Sequence, residues 1–267
     1  MGECAHGRAL WSAAVEQGGI GHTAGAFAIL DEVERAGRRC GAPALESLAL
    51  STRASLLRQA GRHRNAAALD GRALLLVGSS GAPEPRNRTQ TQTHRAAVLD
   101  ALVGLAADHL GQLHLAAARR LLARARGIAD VADTAWLAGR RPLLRIEWVS
   151  AEVAIYSADS ASALEHAQHA RELCTVADTP LRHRVKTELI AAAAHAAAGD
   201  LLMAAQRAAE VTADARAGGL LPLEWASLAL RHGLDPADED VAGDLTRVRG
   251  LLVGRGVPFA DERTAGG

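Results

Sequence analysis

The chain has 267 residues, of which 60 alanines and 37 leucines make up more than a third, whereas aromatic residues account for only 3%. Alanine and leucine favour helices and strand-forming residues are scarce, so the composition argues against an all-β fold, and the apolar content excludes disorder along the whole length. Thirty basic and thirty acidic residues cancel, which argues against direct binding to nucleic acid or to an anionic membrane surface.

Helical stretches alternate with short breaks, and a pattern of small residues follows each break. The pattern has Gly or Ala at a turn, Ala five residues later, and further positions four and seven residues beyond that Ala. In chain order its copies are Gly19, Ala24, Ala28; Gly61, Ala66, Asp70, Ala73; Gly111, Ala116, Arg120, Ala123; Ala158, Ala163, Ala167, Ala170; Gly199, Ala204, Ala208, Val211; and Gly233, Ala242. Because alanines one helical turn apart let two helices approach closely, each copy predicts a pair of antiparallel helices.

Prolines and polar stretches divide these hairpins into segments. Four prolines fall at the first turns of leading helices, where a missing N–H costs least: Pro43, Pro142, Pro180 and Pro222. Two hairpins are predicted within residues 1–78 and four within 94–256. The residues between, 79–93, predict a flexible polar loop, and 257–267 a C-terminal tail. The hairpins are expected to form one continuous domain.

The turn glycine followed by alanines at fixed offsets resembles the tetratricopeptide (TPR) repeat. The turns lie 42, 50, 47, 41 and 34 residues apart, compared with about 34 in the standard repeat, so the resemblance is to a degenerate form with long helices. It is similar in kind to the helical repeats of large actinobacterial regulators. The resemblance implies an all-α fold, a right-handed solenoid of about six antiparallel hairpins with a concave inner face.

No catalytic, metal or cofactor site is predicted. Gly19 and Gly21 imitate a dinucleotide-binding turn, but the segment before them reads as helix rather than strand. His166 and His169 share one helix face beside Glu165, yet two histidine ligands are too few for zinc. His195 is expected to fill the contact between the two helices of its hairpin.

Cysteine usage and hydropathy bear on the compartment. Cys4, Cys40 and Cys174 are three and widely spaced, which predicts neither a zinc site nor a disulfide framework. The sequence shows no signal segment and no apolar run of about 20 residues, so a cytoplasmic location is expected.

The candidate binding surface is the concave groove that the TPR resemblance implies. In such hairpins the leading helices line the groove, and counting back from each turn selects inward positions. The predicted partner-binding residues are Arg58, Asp108, Arg145, Trp148, Glu152 and Lys186. An aromatic side chain between opposite charges is a typical anchor for a protein partner, although the sequence favours Trp148 as core between the third and fourth hairpins.

The sequence therefore favours a non-catalytic adaptor or regulatory module that binds a protein or peptide. One alternative is the ligand- or peptide-sensing domain of a transcriptional or signalling regulator. A lesser one is an enzyme whose site forms at an interface between subunits. The oligomeric state is left open.

Overall fold

The computed structural model describes residues 2–78, 87–176 and 178–260. These residues form twelve α-helices and one short π-helical turn, with no strand among them, which confirms the all-α prediction. Helices that are neighbours along the chain pack against each other. Within the described part of the chain, no helix combines the length and the apolar character that a membrane span requires.

Contacts divide the chain into two compact units. Among the described residues, the first unit comprises 2–18, 22–78, 87–146 and 257–260, and the second comprises 19–21, 147–176 and 178–256. The helices of the first unit are α1 (Gly2–Gly19), α2 (Thr23–Arg39), α3 (Pro43–Gln59), α4 (His63–Gly78), α5 (Arg88–Gly111) and α6 (Leu115–Ile128), and the π-helical turn Trp136–Arg140 leads into α7.

The boundary between the units falls inside α7 (Arg141–Tyr156), whose residues from Glu147 onward belong to the second unit. The remaining helices of the second unit are α8 (Ser160–Leu173), α9 (Leu181–Ala197), α10 (Leu201–Ala217), α11 (Leu221–Leu234) and α12 (Glu239–Gly254). Whether the two units form one continuous domain stays a prediction.

Each unit has its own apolar core. In the first, residues of α1, α2 and α3 such as Ala14, Leu30 and Leu45 are buried together. In the second, Ala151 of α7, Ala167 of α8 and Ile190 of α9 form one cluster. The side chains that meet are mostly small, so the helices lie close together and dispersion contacts accumulate over the interface.

The small-residue pattern is present in five copies, all with the same register. A residue with positive φ stands at each turn, and the side chains five, nine and twelve positions later are buried. The copies are Gly21 with Ala26, Leu30, Val33; Gly61 with Ala66, Asp70, Ala73; Leu113 with Ala118, Leu122, Ala125; Ala158 with Ala163, Ala167, Ala170; and Gly199 with Ala204, Ala208, Val211. We call these fifteen buried side chains the seam.

The predicted register is right in three copies and wrong by two residues in the first and third. Gly111 is the last residue of α5, and the left-handed turn residue is Leu113, with a φ of 61°. A Cβ on Gly111 would lie 2.1 Å from Nδ1 of His63, so this glycine makes room for a neighbour rather than for a turn. The sixth turn is also wrong, because Gly233 lies inside α11.

Helices begin next to the prolines, as predicted, but α5 begins inside the predicted loop. Pro43 begins α3, and Pro222 is the second residue of α11. Helix α5 begins at Arg88, and the side chain of Asn87 accepts a hydrogen bond from the backbone N–H of Gln90 at 3.0 Å. Residues 88–93 are therefore helical rather than loop, and 79–86 lie outside the described residues.

The start of the predicted C-terminal tail is ordered against the first unit. The backbone N–H of Ala260 donates to the carbonyl of Ala60 at 2.7 Å, and Arg62 donates to the carbonyls of Pro258 and Phe259. The segment 257–260 therefore packs on the end of α3. Residues 261–267 lie outside the described residues.

The prediction that the cysteines form no disulfide is wrong. Cys4 of α1 and Cys40 at the end of α2 are bonded, with their Cα atoms 6.0 Å apart. The spacing of cysteines in the sequence gave no sign of this bond, because contact between helix ends brings the two residues together. The cysteines therefore no longer support a reducing compartment, and the cytoplasmic location stays a prediction.

The corrected register predicts different outcomes for two neighbouring alanines of α2. Ala26→Leu forces three extra carbons into the closely packed seam and should lower the free energy of unfolding by about 1–3 kcal/mol. Ala24 is exposed, so Ala24→Leu should change it by less than about 0.5 kcal/mol. Urea unfolding followed by circular dichroism measures both, and equal losses would contradict the register.

Candidate functional site

A cluster of charged side chains lies between α3, α4 and α5 of the first unit. The guanidinium of Arg58 donates from Nε to Oδ1 of Asp108 and from Nη2 to Oδ2 of Asp70, each at 2.6 Å. Both aspartate side chains are fully buried. One arginine therefore ties a residue of α4 and a residue of α5 to α3.

Asp70 occupies a seam position that is aliphatic in the other four copies. The equivalent residues, nine after each turn, are Leu30, Leu122, Ala167 and Ala208. A Cβ on Gly104 of α5 would lie 2.1 Å from Oδ2 of Asp70, so the missing side chain of Gly104 leaves the space that the carboxyl group fills. The polar exception in the repeat is thus accommodated by a glycine on the facing helix.

A second set of ion pairs continues this cluster along α5. Arg141 donates to Asp100 at 2.7 Å, and Arg145 donates to the other oxygen of the same carboxylate. Burial lowers the pKa of the Arg145 guanidinium, and the neighbouring Asp100 partly offsets this effect. Three arginines and three aspartates together form what we call the ionic cluster: Arg58, Asp70, Asp100, Asp108, Arg141 and Arg145.

Burial also governs the protonation of Asp70. It raises the pKa of this carboxyl group well above its usual value near 3.8, and the charge of Arg58 counteracts part of the rise while that of Asp108 adds to it. Perturbed carboxyl groups are common in functional sites but also occur in structural ion-pair networks. With both carboxyl groups fully buried and held by one arginine, the cluster is suited to fixing three helices in place.

In the second unit, α7 presents a stripe of side chains at four-residue spacing. Trp148 stacks on His183 of α9 with ring centroids 5.7 Å apart, and its indole N–H donates to the hydroxyl of Thr187 at 2.9 Å. Glu152 accepts from Nζ of Lys186 at 3.2 Å. Tyr156, one turn further, is 62% exposed. We call Trp148, Glu152 and Tyr156 the α7 stripe.

The second unit also contains a cavity of about 220 Å³ between α8, α9 and α10. Glu188 pairs with two arginines of this region, Arg171 at 2.9 Å and Arg207 at 2.7 Å. Nε of Arg207 is buried and makes no hydrogen bond within the described residues. The lining residues are Leu164, Ala167, Gln168, Arg171, Ala191, His195 and Arg207.

Each of the six predicted groove residues is engaged within its own unit. Arg58, Asp108 and Arg145 belong to the ionic cluster of the first unit, whereas Trp148, Glu152 and Lys186 lie together in the second. That the six line one groove stays a prediction.

The structure adds residues that the sequence did not single out for a site. Asp100 and Arg141 could not be paired from the sequence, because they are 41 positions apart. Asp70 carried a usable signal, as an acidic residue at a position of the predicted pattern that is alanine in most copies. Tyr156 carried one too, because it lies eight residues after Trp148 and is the single tyrosine of the chain. His195, expected between the two helices of its hairpin, is instead partly exposed and lies 3.3 Å from Asp200.

Comparison of the chain with protein-family models, with curated proteins and with solved structures finds no match. The structure agrees with a helical repeat, because twelve helices pack in sequence order and the seam recurs. The closer resemblance to tetratricopeptide repeats stays a prediction.

The raised pKa of Asp70 predicts how stability depends on pH. Between about pH 4 and that raised pKa, the folded protein holds a proton that the unfolded chain has lost, so folding takes up a proton and raising the pH disfavours the folded state. Asp70→Asn removes this titration. Over that range the variant should gain stability relative to the wild type by up to about 1.4 kcal/mol per pH unit.

Urea unfolding at a series of pH values measures this difference. Asp244→Asn is the control, because Asp244 is a more exposed carboxylate whose pKa is lowered by hydrogen bonds from Arg216 and Arg247. Its difference from the wild type should stay constant above about pH 4 and change in the opposite direction only at lower pH, since its pKa lies below the usual value near 3.8. Parallel curves for Asp70→Asn and the wild type would show that Asp70 is ionised in the folded protein throughout.

Proposed function

We propose that the chain is a non-catalytic adaptor or regulatory module that binds a protein or peptide partner. The observation that carries this proposal is the α7 stripe, in which an anchored tryptophan, a paired carboxylate and an exposed tyrosine lie on one face of a helix. Tryptophan and tyrosine are enriched at protein interfaces, because each combines a large apolar area with a polar atom.

The existing contacts of the α7 stripe keep the free-energy cost of binding a partner small. Trp148 is already fixed by its ring stacking and hydrogen bond, so little conformational entropy is lost when a partner contacts it. The Glu152–Lys186 pair is partly exposed, and such pairs contribute about 0–1 kcal/mol to stability. Glu152 or Lys186 can therefore leave this pair and form an ion pair with a partner at a small cost in free energy.

The proposal includes the finer fold expected from the sequence, a right-handed, TPR-like solenoid of antiparallel hairpins. Five copies of the seam with identical offsets support it. In that arrangement the leading helices α7 and α9 line the concave side, which is the side that carries Trp148, Glu152 and Lys186. The buried Asp108 and the mostly buried Arg58 and Arg145, which pair within the ionic cluster, would contribute to the scaffold rather than to the contact surface.

Charge reversal tests the proposed surface. The double variant Glu152→Lys/Lys186→Glu preserves the internal ion pair but reverses the order of charges that a partner meets, so it should fold normally and lose most partner capture. Tyr156→Ala should lose capture as well, by about tenfold in Kd if the tyrosine is an anchor. Quantitative mass spectrometry of proteins retained on the immobilised chain measures both.

A matched control is available on another helix of the same unit. Leu202 of α10 is 73% exposed, and Leu202→Ala should leave capture unchanged. Retention of the same partners by the charge-reversed and Tyr156→Ala variants would reject the α7 stripe as the binding surface.

The cavity of the second unit favours a second candidate function, the sensing of a small ligand. Its volume of about 220 Å³ lies below the usual range for drug-sized ligands, about 300–1,000 Å³, so it fits a molecule of few atoms. Two arginines among the lining residues give it a positive character, which their ion pairs with Glu188 offset in part. A small anion is the ligand class that this lining would bind.

Thermal unfolding with phosphate and small carboxylates tests this second candidate. A ligand at 100 times its Kd stabilises the folded state by about 2.7 kcal/mol, which raises the melting temperature measurably. Arg207→Gln should abolish the rise, whereas Arg231→Gln, which alters an arginine outside the cavity, should preserve it. A rise that both variants retain would place the anion elsewhere.

A further inference from the structure

Two histidines of α8 and a glutamate of α7 bring their ligand atoms together in the second unit. Nδ1 of His166 lies 2.6 Å from Oε2 of Glu147, and Nδ1 of His169 lies 3.9 Å from the same oxygen. All three ligand atoms are within 4.8 Å of one another. Among residues 2–78, 87–176 and 178–260, this is the one group of three such side chains with that spacing.

The helices explain the convergence. His166 and His169 are three residues apart, so both project from the same face of α8. Glu165, the carboxylate next to them in sequence, is exposed and is not part of the group. The third side chain comes instead from α7, the preceding helix. For this reason only two of the three candidate ligands could be recognised from the sequence.

We propose that Glu147, His166 and His169 form a binding site for a divalent transition-metal ion, with zinc, cobalt or nickel as the class of ion. Tetrahedral ligands about 2.0–2.1 Å from zinc lie about 3.4 Å from one another, and the distances of 2.6 and 3.9 Å to Oε2 of Glu147 fall on either side of that value. Small changes in side-chain torsion angles therefore suffice to close the site around an ion.

The chemistry of the ligands selects the ion. Two imidazole nitrogens favour zinc, cobalt, nickel and copper, whereas magnesium and calcium prefer a shell of oxygen ligands. Three protein ligands leave a fourth position for water or for a donor from another molecule. The ion would join α7 to α8 and, because it binds the folded state alone, would stabilise the second unit.

Access and charge are compatible with reversible binding. The side chain of His169 is 51% exposed, and those of Glu147 and His166 are partly exposed, so an ion reaches the site without unfolding the helices. The carboxylate supplies one negative charge, and the imidazoles bind as neutral ligands. The occupied site therefore keeps a net charge of +1, which remains hydrated because the half-exposed side chain of His169 leaves the site open to solvent.

Metal titration of the full chain, purified without a histidine tag, tests the proposal. Calorimetry with Zn²⁺ and visible absorption with Co²⁺ should show one ion per chain, and Mg²⁺ and Ca²⁺ should not compete. His166→Ala, His169→Ala and Glu147→Gln should each weaken Co²⁺ binding by about tenfold or more, because loss of even an outer-shell group costs about 10–100-fold. At the same Zn²⁺ concentration, the melting temperature of the wild type should rise more than that of any of these variants.

Two controls isolate the site. Glu165→Gln changes the neighbouring carboxylate and should leave Co²⁺ binding unchanged. His109 and His114 form another histidine pair, with their Nδ1 atoms 3.4 Å apart, and lie outside the three-residue group, so His109→Ala/His114→Ala should also leave it unchanged. Melting of each variant without metal shows whether it folds, and the half-exposed His169 makes His169→Ala the variant least disruptive to packing.

The proposal is overturned if the wild type binds no ion in the Zn²⁺ and Co²⁺ titrations. It is also overturned if one ion per chain binds with the same affinity in all three ligand variants, or if binding is lost in the His109→Ala/His114→Ala variant instead. These outcomes are independent of partner capture by the α7 stripe, since the capture variants leave all three ligands in place.

Discussion

The close approach of helices along the seam is the constraint on which the rest of the structure depends. Five turns place a residue with positive φ at the same distance before three buried side chains, and thirteen of those fifteen side chains are alanine or valine or, in one copy, aspartate. Small side chains bring the helix backbones together, and the offsets of five, nine and twelve keep them on one face. A larger residue at any of these positions would separate the pair of helices that it joins.

Asp70 shows what happens when the seam contains an ionisable side chain. A buried carboxyl group without compensation costs several kcal/mol, so the surrounding helices must supply a partner and the space for it. Arg58 supplies the partner and Gly104 the space, and Arg58 also holds Asp108. Replacing one member of such a group leaves the others buried without partners, which is why three helices of the first unit depend on a single arginine.

The sequence predicted the helices and the seam where the turn residue was recognisable. Gly61 and Gly199 were recognised as turn residues in the sequence, and the alanines after them were correctly predicted to be buried. Leu113 was not recognised as a turn residue, because the left-handed backbone conformation costs a leucine about 1–2 kcal/mol and is not expected there. The sequence therefore assigned the turn to Gly111, whose small size serves the contact with His63 instead.

The disulfide and the ion pairs between distant residues could not be predicted from the sequence, for a different reason. The disulfide of Cys4 with Cys40 and the pairs of Asp100 with Arg141 and Arg145 each join residues more than 30 positions apart. Helical periodicity places a residue on a face of its own helix but leaves open which face of another helix it meets. Glu147 illustrates the point, since periodicity alone favoured Glu165 as the carboxylate beside the two histidines.

Helix α7 connects the two proposals made for the second unit. Glu147 faces the histidines of α8, while the adjacent Trp148 contacts His183 and Thr187 of α9, so successive residues of one helix hold it to two neighbours. An ion bound by Glu147 would restrict the position of α7, and with it the position of Glu152 and Tyr156. Ordering of the helix by the ion would then reduce the entropy that a partner must remove on binding, and by reciprocity the partner would strengthen the binding of the ion. The two proposed sites would thus be separable by substitution yet coupled through one helix.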